Sequence, residues 1–529
     1  MRTFSRLKAI LPAALLATTM LASGAEAAQV LHRISEAEPE TLDPQKSSAA
    51  GSLAIDRDMF VGLVTLDPEE HVVPGVAERW EISPDGKTWT FHLRHDAKWS
   101  TGEPVTADDF VYSFRRLVDP KTAAADPSDL TQLVNYEAIV AGKETDLTKL
   151  GVKALDPYTL ELQLTAPRLA LKFLLTDPAL FPLHKASVEK WGAQWTQPEH
   201  LVGNGPFMMK SWVPQSAIVL TKNPNFYDAA SVKLDEVDWI VTENLKAGLT
   251  RYRAGELDFV PLTKSDIPWA KQNATDQLQT ADVNGIGFLF FNMAKGQLKD
   301  DVRLREAINL AVDRDALVTK IDPRGEKPAY GLIPPVISDY TSQSMAFKDM
   351  PQADRLARAK ALMKEAGYGP DHPLKLKVTY ATEESNRQLL LAIAAMLKPI
   401  GVELSLDNME WQVFLDAENQ RNFEIGYVNL VGTYDDYENG LDNFRSNAGI
   451  YNVNGYTNPQ FDDLFRRGGT STDPLERRKL MEQAEKLMLD EYPIVPLEFY
   501  VRNVLVNPKL QGYVAKVVYD QSRYLSFKP

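Results

Sequence analysis

The side chains best suited to chemistry are few and lie far apart in the chain. Asp435 and Asp436 form an adjacent carboxylate pair, and paired carboxylates serve hydrolytic enzymes. His92 and His95 lie in or beside a predicted strand, where residues three apart point to opposite faces, so a shared metal ion is disfavoured. Gly203-Asn204-Gly205 is typical of a tight turn and only weakly of a phosphate-binding loop. These residues favour solvated turns over a catalytic site.

The sequence lacks the common catalytic motifs. It has no cysteine, no Gly-x-Ser-x-Gly elbow, no Gly-x-x-x-x-Gly-Lys loop and no His-Glu-x-x-His. A chain without cysteine has neither a thiolate nucleophile nor disulfides. The net charge of −14 argues against nucleic acid or an anionic membrane as partner. We therefore expect a binding protein rather than an enzyme, with no cofactor and no metal.

The first 28 residues are typical of an export signal. Arg2, Arg6 and Lys8 precede an apolar run from 9 to 21, and Ala25-Glu26-Ala27 has the small residues of a cleavage site. No cysteine follows, so we expect no lipid anchor. No later apolar run is long enough to span a bilayer. The sequence therefore predicts cleavage of this segment and export to the periplasm.

The segment 423–436 predicts a buried strand that ends in a polar turn. Ile425, Tyr427 and Val428 favour a strand, and Gly432 begins the turn. A strand that ends this way can offer its N–H and C=O groups to an extended ligand. Further along, the pattern over 374–406 predicts a strand, a helix and a second strand joined as a βαβ unit.

Residues 74–115 form the most distinctive passage. The segment 80–93 predicts a β-hairpin with a Pro-Asp-Gly turn, and Thr106 with Asp109 predicts a capped helix. The amino-acid sequence of this passage, together with Leu42-Asp43-Pro44, resembles that of the oligopeptide- and dipeptide-binding proteins of ABC importers, solute-binding protein family 5. The resemblance implies an α/β, two-lobed periplasmic binding protein fold with an extra domain and a hinge between the lobes.

The resemblance covers the mature chain and implies how it is divided. Residues 1–28 would be the signal peptide, and the first lobe would be discontinuous. The expected domains are lobe I at 29–60, 185–284 and 498–529, an extra domain at 61–184, and lobe II at 285–497. The implied partners are a small-molecule or peptide ligand and an ABC permease in the inner membrane, with the binding protein itself a monomer.

The resemblance also implies a set of ligand-binding residues. In peptide-binding relatives the extended ligand pairs with the main chain at Asn429 and Val431, and an Asp at the position of Thr433 holds its ammonium group. Leu430 stands where a Trp is typical, and Trp411 matches a pocket-lining Trp. The predicted ligand-binding residues are Tyr427, Asn429, Leu430, Val431, Gly432, Thr433, Asp435, Trp411, Asn386, Ser48 and Ala50.

The charged anchors of the relatives are replaced in this chain. Thr433 replaces the Asp, Tyr427 an Arg, Asn386 a His, and Ser48 lies where an acidic group is expected. One hypothesis is therefore a blocked, cyclic or modified peptide, or another polar metabolite. The other keeps ordinary peptides, with Asp435 or Asp436 binding the ammonium. A chemoreceptor partner is a further alternative, and Thr433, Tyr427 and Trp411 could instead have purely structural roles.

Overall fold

The fold was analysed in a computed structural model that describes residues 28–242, 245–432, 434–516 and 520–528. Thr433 lies outside these residues, as does the predicted signal segment up to residue 27. In chain order the strands of the described part are β1 Val30–Ser35, β2 Val64–Leu66, β3 Val72–Pro74, β4 Ala77–Ile82, β5 Thr88–Leu93, β6 Val152–Asp156, β7 Thr159–Gln163, β8 Phe207–Val213, β9 Ala217–Lys222, β10 Glu236–Val241, β11 Phe259–Pro261, β12 Leu278–Phe291, β13 Lys327–Pro328, β14 Leu374–Ala381, β15 Val402–Met409, β16 Ile425–Val431, β17 Ile494–Val506, β18 Leu510–Gln511 and β19 Ser526–Phe527.

The helices pack on the faces of these strands. In the same order they are α1 Ala50–Met59, α2 Ala107–Val118, α3 Tyr136–Val140, α4 Leu171–Leu174, α5 Lys185–Trp191, α6 Leu245–Arg253, α7 Ile267–Asn273, α8 Gln297–Asp300, α9 Val302–Ala311, α10 Arg314–Ala316, α11 Gln352–Glu365, α12 Glu384–Leu397, α13 Trp411–Asn419, α14 Glu438–Leu441, α15 Pro459–Thr470 and α16 Pro474–Asp490. Among the described residues, none of these helices is long and apolar enough to cross a bilayer.

Two large hydrophobic cores divide the molecule. The first core gathers buried residues from 31 to 239 with 259 and 504–525, and the second gathers 286–497. The first core is therefore built from both ends of the chain, as a discontinuous lobe requires. The expected domain limits at 284/285 and 497/498 fall inside β12 and β17, and these limits remain predictions.

The largest sheet has the order β11-β17-β12-β16-β14-β15, and β13 pairs with β17. Its two long strands, β12 and β17, run antiparallel from one core into the other, with an irregular register between Asp282 and Ile286. Because few chain crossings join the two cores, these strands are the natural place for a hinge.

The locally predicted elements are confirmed. The strand after Phe423 is β16, the hairpin is the antiparallel pair β4–β5, and α2 begins with the Thr106–Asp109 capping box. β14, α12 and β15 form the βαβ unit, with both strands parallel. At Gly203-Asn204-Gly205 the side chain of Asn204 bonds to both main-chain groups of Val61, which makes this turn a structural one.

Candidate functional site

One edge of β16 is open. β14 pairs with β16 only at Ile425 and Gly426, so from Tyr427 to Val431 no strand lies on that side within the described ranges. The opposite edge of β16 is fully paired with β12. Asn429 and Val431 are exposed, whereas Tyr427 is buried. This edge of β16 is therefore accessible, and its role in ligand binding stays a prediction.

The register of the β12–β16 pair decides which main-chain groups face this open edge. Gly432 donates its N–H to the Asn284 carbonyl at 2.8 Å, and Asn292 donates to the Glu424 carbonyl at 3.0 Å. In an antiparallel pair the bonded residues alternate, so the even-numbered residues of β16 face β12. The N–H and C=O groups of Tyr427, Asn429 and Val431 therefore point to the open side.

The open edge lies where neighbouring strands end. β14 and β15 stop at Ala381 and Met409, and the parallel register places both ends level with the middle of β16. α12 and α13 begin immediately afterwards and bring Asn386 and Trp411 to the same rim. In open α/β sheets, ligands bind outside the carboxyl ends of the strands. The rim is therefore a well-placed binding surface.

The predicted side chains at this rim have different environments. The Trp411 side chain is 52% exposed, which excludes a core role for it, while Asn386 is buried. Tyr427 belongs to the second core through its ring, and its phenol hydrogen-bonds to Tyr500; burial raises its pKa well above the usual range. At the open edge of β16, the main chain of Tyr427 rather than its ring is therefore exposed to an extended ligand.

The first-lobe loop holds an acidic group that the sequence did not indicate. Glu40 accepts hydrogen bonds from the N–H groups of Ser48 at 2.7 Å and Ala49 at 3.1 Å, just before Ala50 opens α1. Partial burial acts to raise the pKa of Glu40, but these N–H donors hold it below the usual value. A carboxylate therefore lies beside Ser48, eight residues away in the chain, and a role for it in ligand binding stays a prediction.

The two aspartates of the turn have separate partners. Asp435 accepts hydrogen bonds from the Ser338 N–H at 3.0 Å and hydroxyl at 2.6 Å. It lines a cavity that segment 66–70 and Lys516 bound on the other side. Asp436 is buried and binds Arg477 through two bonds of 2.9 and 2.8 Å. The structure thus removes Asp436 from the predicted ammonium partners and leaves Asp435 beside a cavity.

A buried charge network anchors the turn. Arg477 also binds Glu438 at 2.8 Å, and Glu438 binds Arg168 at 3.1 Å. Next to it, Tyr434 stacks on Phe173, with ring centroids 6.1 Å apart. Arg168 and Phe173 lie in the segment predicted as the extra domain, so the turn after β16 connects the second core to that segment.

Two lobes, long strands that join them, and an open strand edge at the carboxyl ends of a sheet define a two-lobed solute-binding protein. The chain belongs to the bacterial extracellular solute-binding proteins, family 5, whose middle region matches residues 71–452. It is 35% identical over 528 residues to the periplasmic oligopeptide-binding protein OppA of Salmonella typhimurium, covering 96% of each chain.

Two further proteins show the range of this similarity. The chain is 35% identical over 488 residues to the probable deoxycholate-binding periplasmic protein YgiS of Escherichia coli, covering 92% of this chain and 90% of that one. The solved structure of Haemophilus influenzae OppA in complex with the peptide RPPGFSPFR matches with a TM-score of 0.79 and 33% identity, covering 95% and 99%. Relatives of equal similarity thus carry names for different ligands.

Proposed function

We propose that this protein is the solute-binding component of an ABC importer and that it captures a peptide or peptide-like ligand between its lobes. The observation that carries the proposal is the outward-facing main chain at Tyr427, Asn429 and Val431. Main-chain pairing accepts an extended ligand whatever its side chains, because every residue offers the same N–H and C=O groups. The complex of the Haemophilus influenzae relative with a nonapeptide supports this reading.

The cellular setting follows from the same proposal. Cleavage of residues 1–28 would release the mature chain in the periplasm, where its relatives are named as residents. There the monomer would deliver the ligand to an inner-membrane permease. Binding alone is required, so no bond is made or broken and the protein is not an enzyme.

A pair of proline substitutions tests the main-chain contact. Val431→Pro removes an N–H that faces the ligand, whereas Leu430→Pro removes one that bonds to β12. We expect the first variant to keep its melting temperature and lose the stabilisation by peptide. Peptide at a hundredfold its Kd raises the free energy of unfolding of the wild-type chain by about 2.7 kcal/mol. We expect the second variant to melt at a lower temperature without any ligand.

Thermal shift with a random tetrapeptide mixture provides the measurement. If Val431→Pro is stabilised by peptide as strongly as the wild-type chain, main-chain pairing at this edge is refuted.

A second candidate is a non-peptide polar ligand on the same surface. Thr433 carries no charge, and the relative named for deoxycholate is as similar to this chain as the peptide-binding one. Deoxycholate and N-acetylated tetrapeptides are the discriminating probes. Stabilisation by deoxycholate and by neither peptide form would favour this second candidate.

A further inference from the structure

Glu498 is a buried carboxyl group next to the predicted binding surface. It lies in β17 opposite Gly287 of β12, and Gly287 in turn lies opposite Asn429 of β16. Its side chain is 2% exposed, and its Oε2 accepts no hydrogen bond from any described residue. A buried carboxylate oxygen without a donor is costly, so such a group calls for a partner.

The cations near Glu498 are already engaged by other acids. Lys264 lies 3.3 Å from Asp322, and Arg324 lies 2.8 Å from Asp322 and 2.9 Å from Glu326. Three carboxyl groups thus share two cations. Burial, together with the charge of Glu326, raises the pKa of Glu498 well above its usual range. In these ion pairs both cations face acids other than Glu498.

Two tyrosines complete the surroundings of this carboxyl group. Tyr427 of β16 and Tyr500 of β17 hydrogen-bond to each other through their phenols, and Tyr500 also donates to the side chain of Asn429. A Cβ on Gly287 would lie 2.6 Å from Glu498 Oε1, and a Cβ on Gly285 would lie 2.8 Å from the Tyr500 ring. The two glycines therefore let the carboxyl group and the ring lie directly on the sheet.

Aromatic rings with a carboxylate at their base form a favourable environment for a cation. Tyr500 is the least buried of the three, and its hydroxyl reaches exposed Asn429. A ligand paired with the open edge of β16 lies next to that asparagine. Access of such a ligand to Glu498 requires the Tyr500 ring to move away from its contact with Asn429.

We propose that Glu498 receives an ammonium group of the ligand, between the rings of Tyr427 and Tyr500. This inference rests on the proposed peptide-binding function and assigns its specificity. Glu498 would provide the acidic group for the ligand's ammonium. Thr433 carries no charge, and the carboxylate of Asp436 is already paired with Arg477. The ammonium could belong to the ligand's amino terminus or to a lysine side chain.

The test compares Glu498→Gln with the control Glu189→Gln, which changes an exposed glutamate paired with Lys185. Calorimetry would measure tetra-alanine, N-acetyl-tetra-alanine and an N-acetylated tetrapeptide that contains one lysine. We expect the wild-type chain and the control to bind tetra-alanine at least tenfold more tightly than its acetylated form. In Glu498→Gln that preference should vanish. If the wild-type chain binds the acetylated lysine peptide more tightly than N-acetyl-tetra-alanine, and Glu498→Gln does not, the ammonium group belongs to the lysine side chain of the ligand.

An unchanged preference in Glu498→Gln would overturn the inference. Absence of binding by every peptide would instead refute the proposed function.

Discussion

Arg477 holds two buried carboxylates, and its removal should be among the most damaging single changes in the second lobe. Arg477, Asp436 and Glu438 are each no more than 5% exposed. Removing one partner of a buried ion pair costs about 3–5 kcal/mol, because the remaining charge stays buried. For a lobe of this size that loss lowers the melting temperature by about 10 °C. Arg477→Gln is therefore expected to be strongly destabilised at pH 8.

The neighbouring residue on α16 offers a matched control. Arg478 binds Asp339 at 2.8 Å, but both side chains are substantially exposed. Exposed pairs contribute about 1 kcal/mol or less, so Arg478→Gln should melt within a few degrees of the wild-type chain. Differential scanning calorimetry of both variants makes the comparison. Equal melting temperatures for the two variants would refute the assignment of a stabilising role to the buried network.

The pH dependence gives an independent check on the same variant. Without Arg477, burial disfavours the ionised forms of Asp436 and Glu438 and raises the pKa of each in the folded state. A raised carboxyl pKa means that the folded state binds protons more tightly than the unfolded state, so stability falls as pH rises. The deficit of Arg477→Gln should therefore be smaller at pH 5 than at pH 8. A double substitution Asp436→Asn, Glu438→Gln in the same background should recover part of the loss.

Two further predictions concern other buried positions. Burial raises the pKa of Glu418 to about 7, so its carboxyl group is protonated in the folded protein at pH 5. Because the unfolded chain gives up this proton at a lower pH, the free energy of unfolding should fall by about 3 kcal/mol as pH rises from 4.5 to 7. Urea unfolding should show no such decrease for Glu418→Gln. The same pH profile for this variant and the wild-type chain would contradict the prediction. A Cβ on Gly426 would lie 2.0 Å from the Phe290 ring, so Gly426→Ala should lose about 1–3 kcal/mol of unfolding free energy, and an unchanged urea midpoint would show that the ring can move.

Local pattern in the sequence was enough for much of the fold. The alternation along β5, the capping box at Thr106 and the strand–helix–strand pattern after Leu374 each depend on residues close together in the chain. The long passage from 74 to 115 carried the family resemblance for the same reason. The apolar run ending at Val431 likewise sufficed to place the strand that bears the open edge.

Only the tertiary structure decided how that edge is used. The register against β12 determines which residues turn their main chain outward, and it depends on Gly432 meeting Asn284, about 150 positions earlier. Asp436 and Asp435 look alike in sequence, yet one binds Arg477 and the other lines a cavity. Strand pairing alone places Glu498 in one row with Asn429, with Gly287 between them. Such contacts are set by packing between distant segments, and packing leaves no local pattern to read.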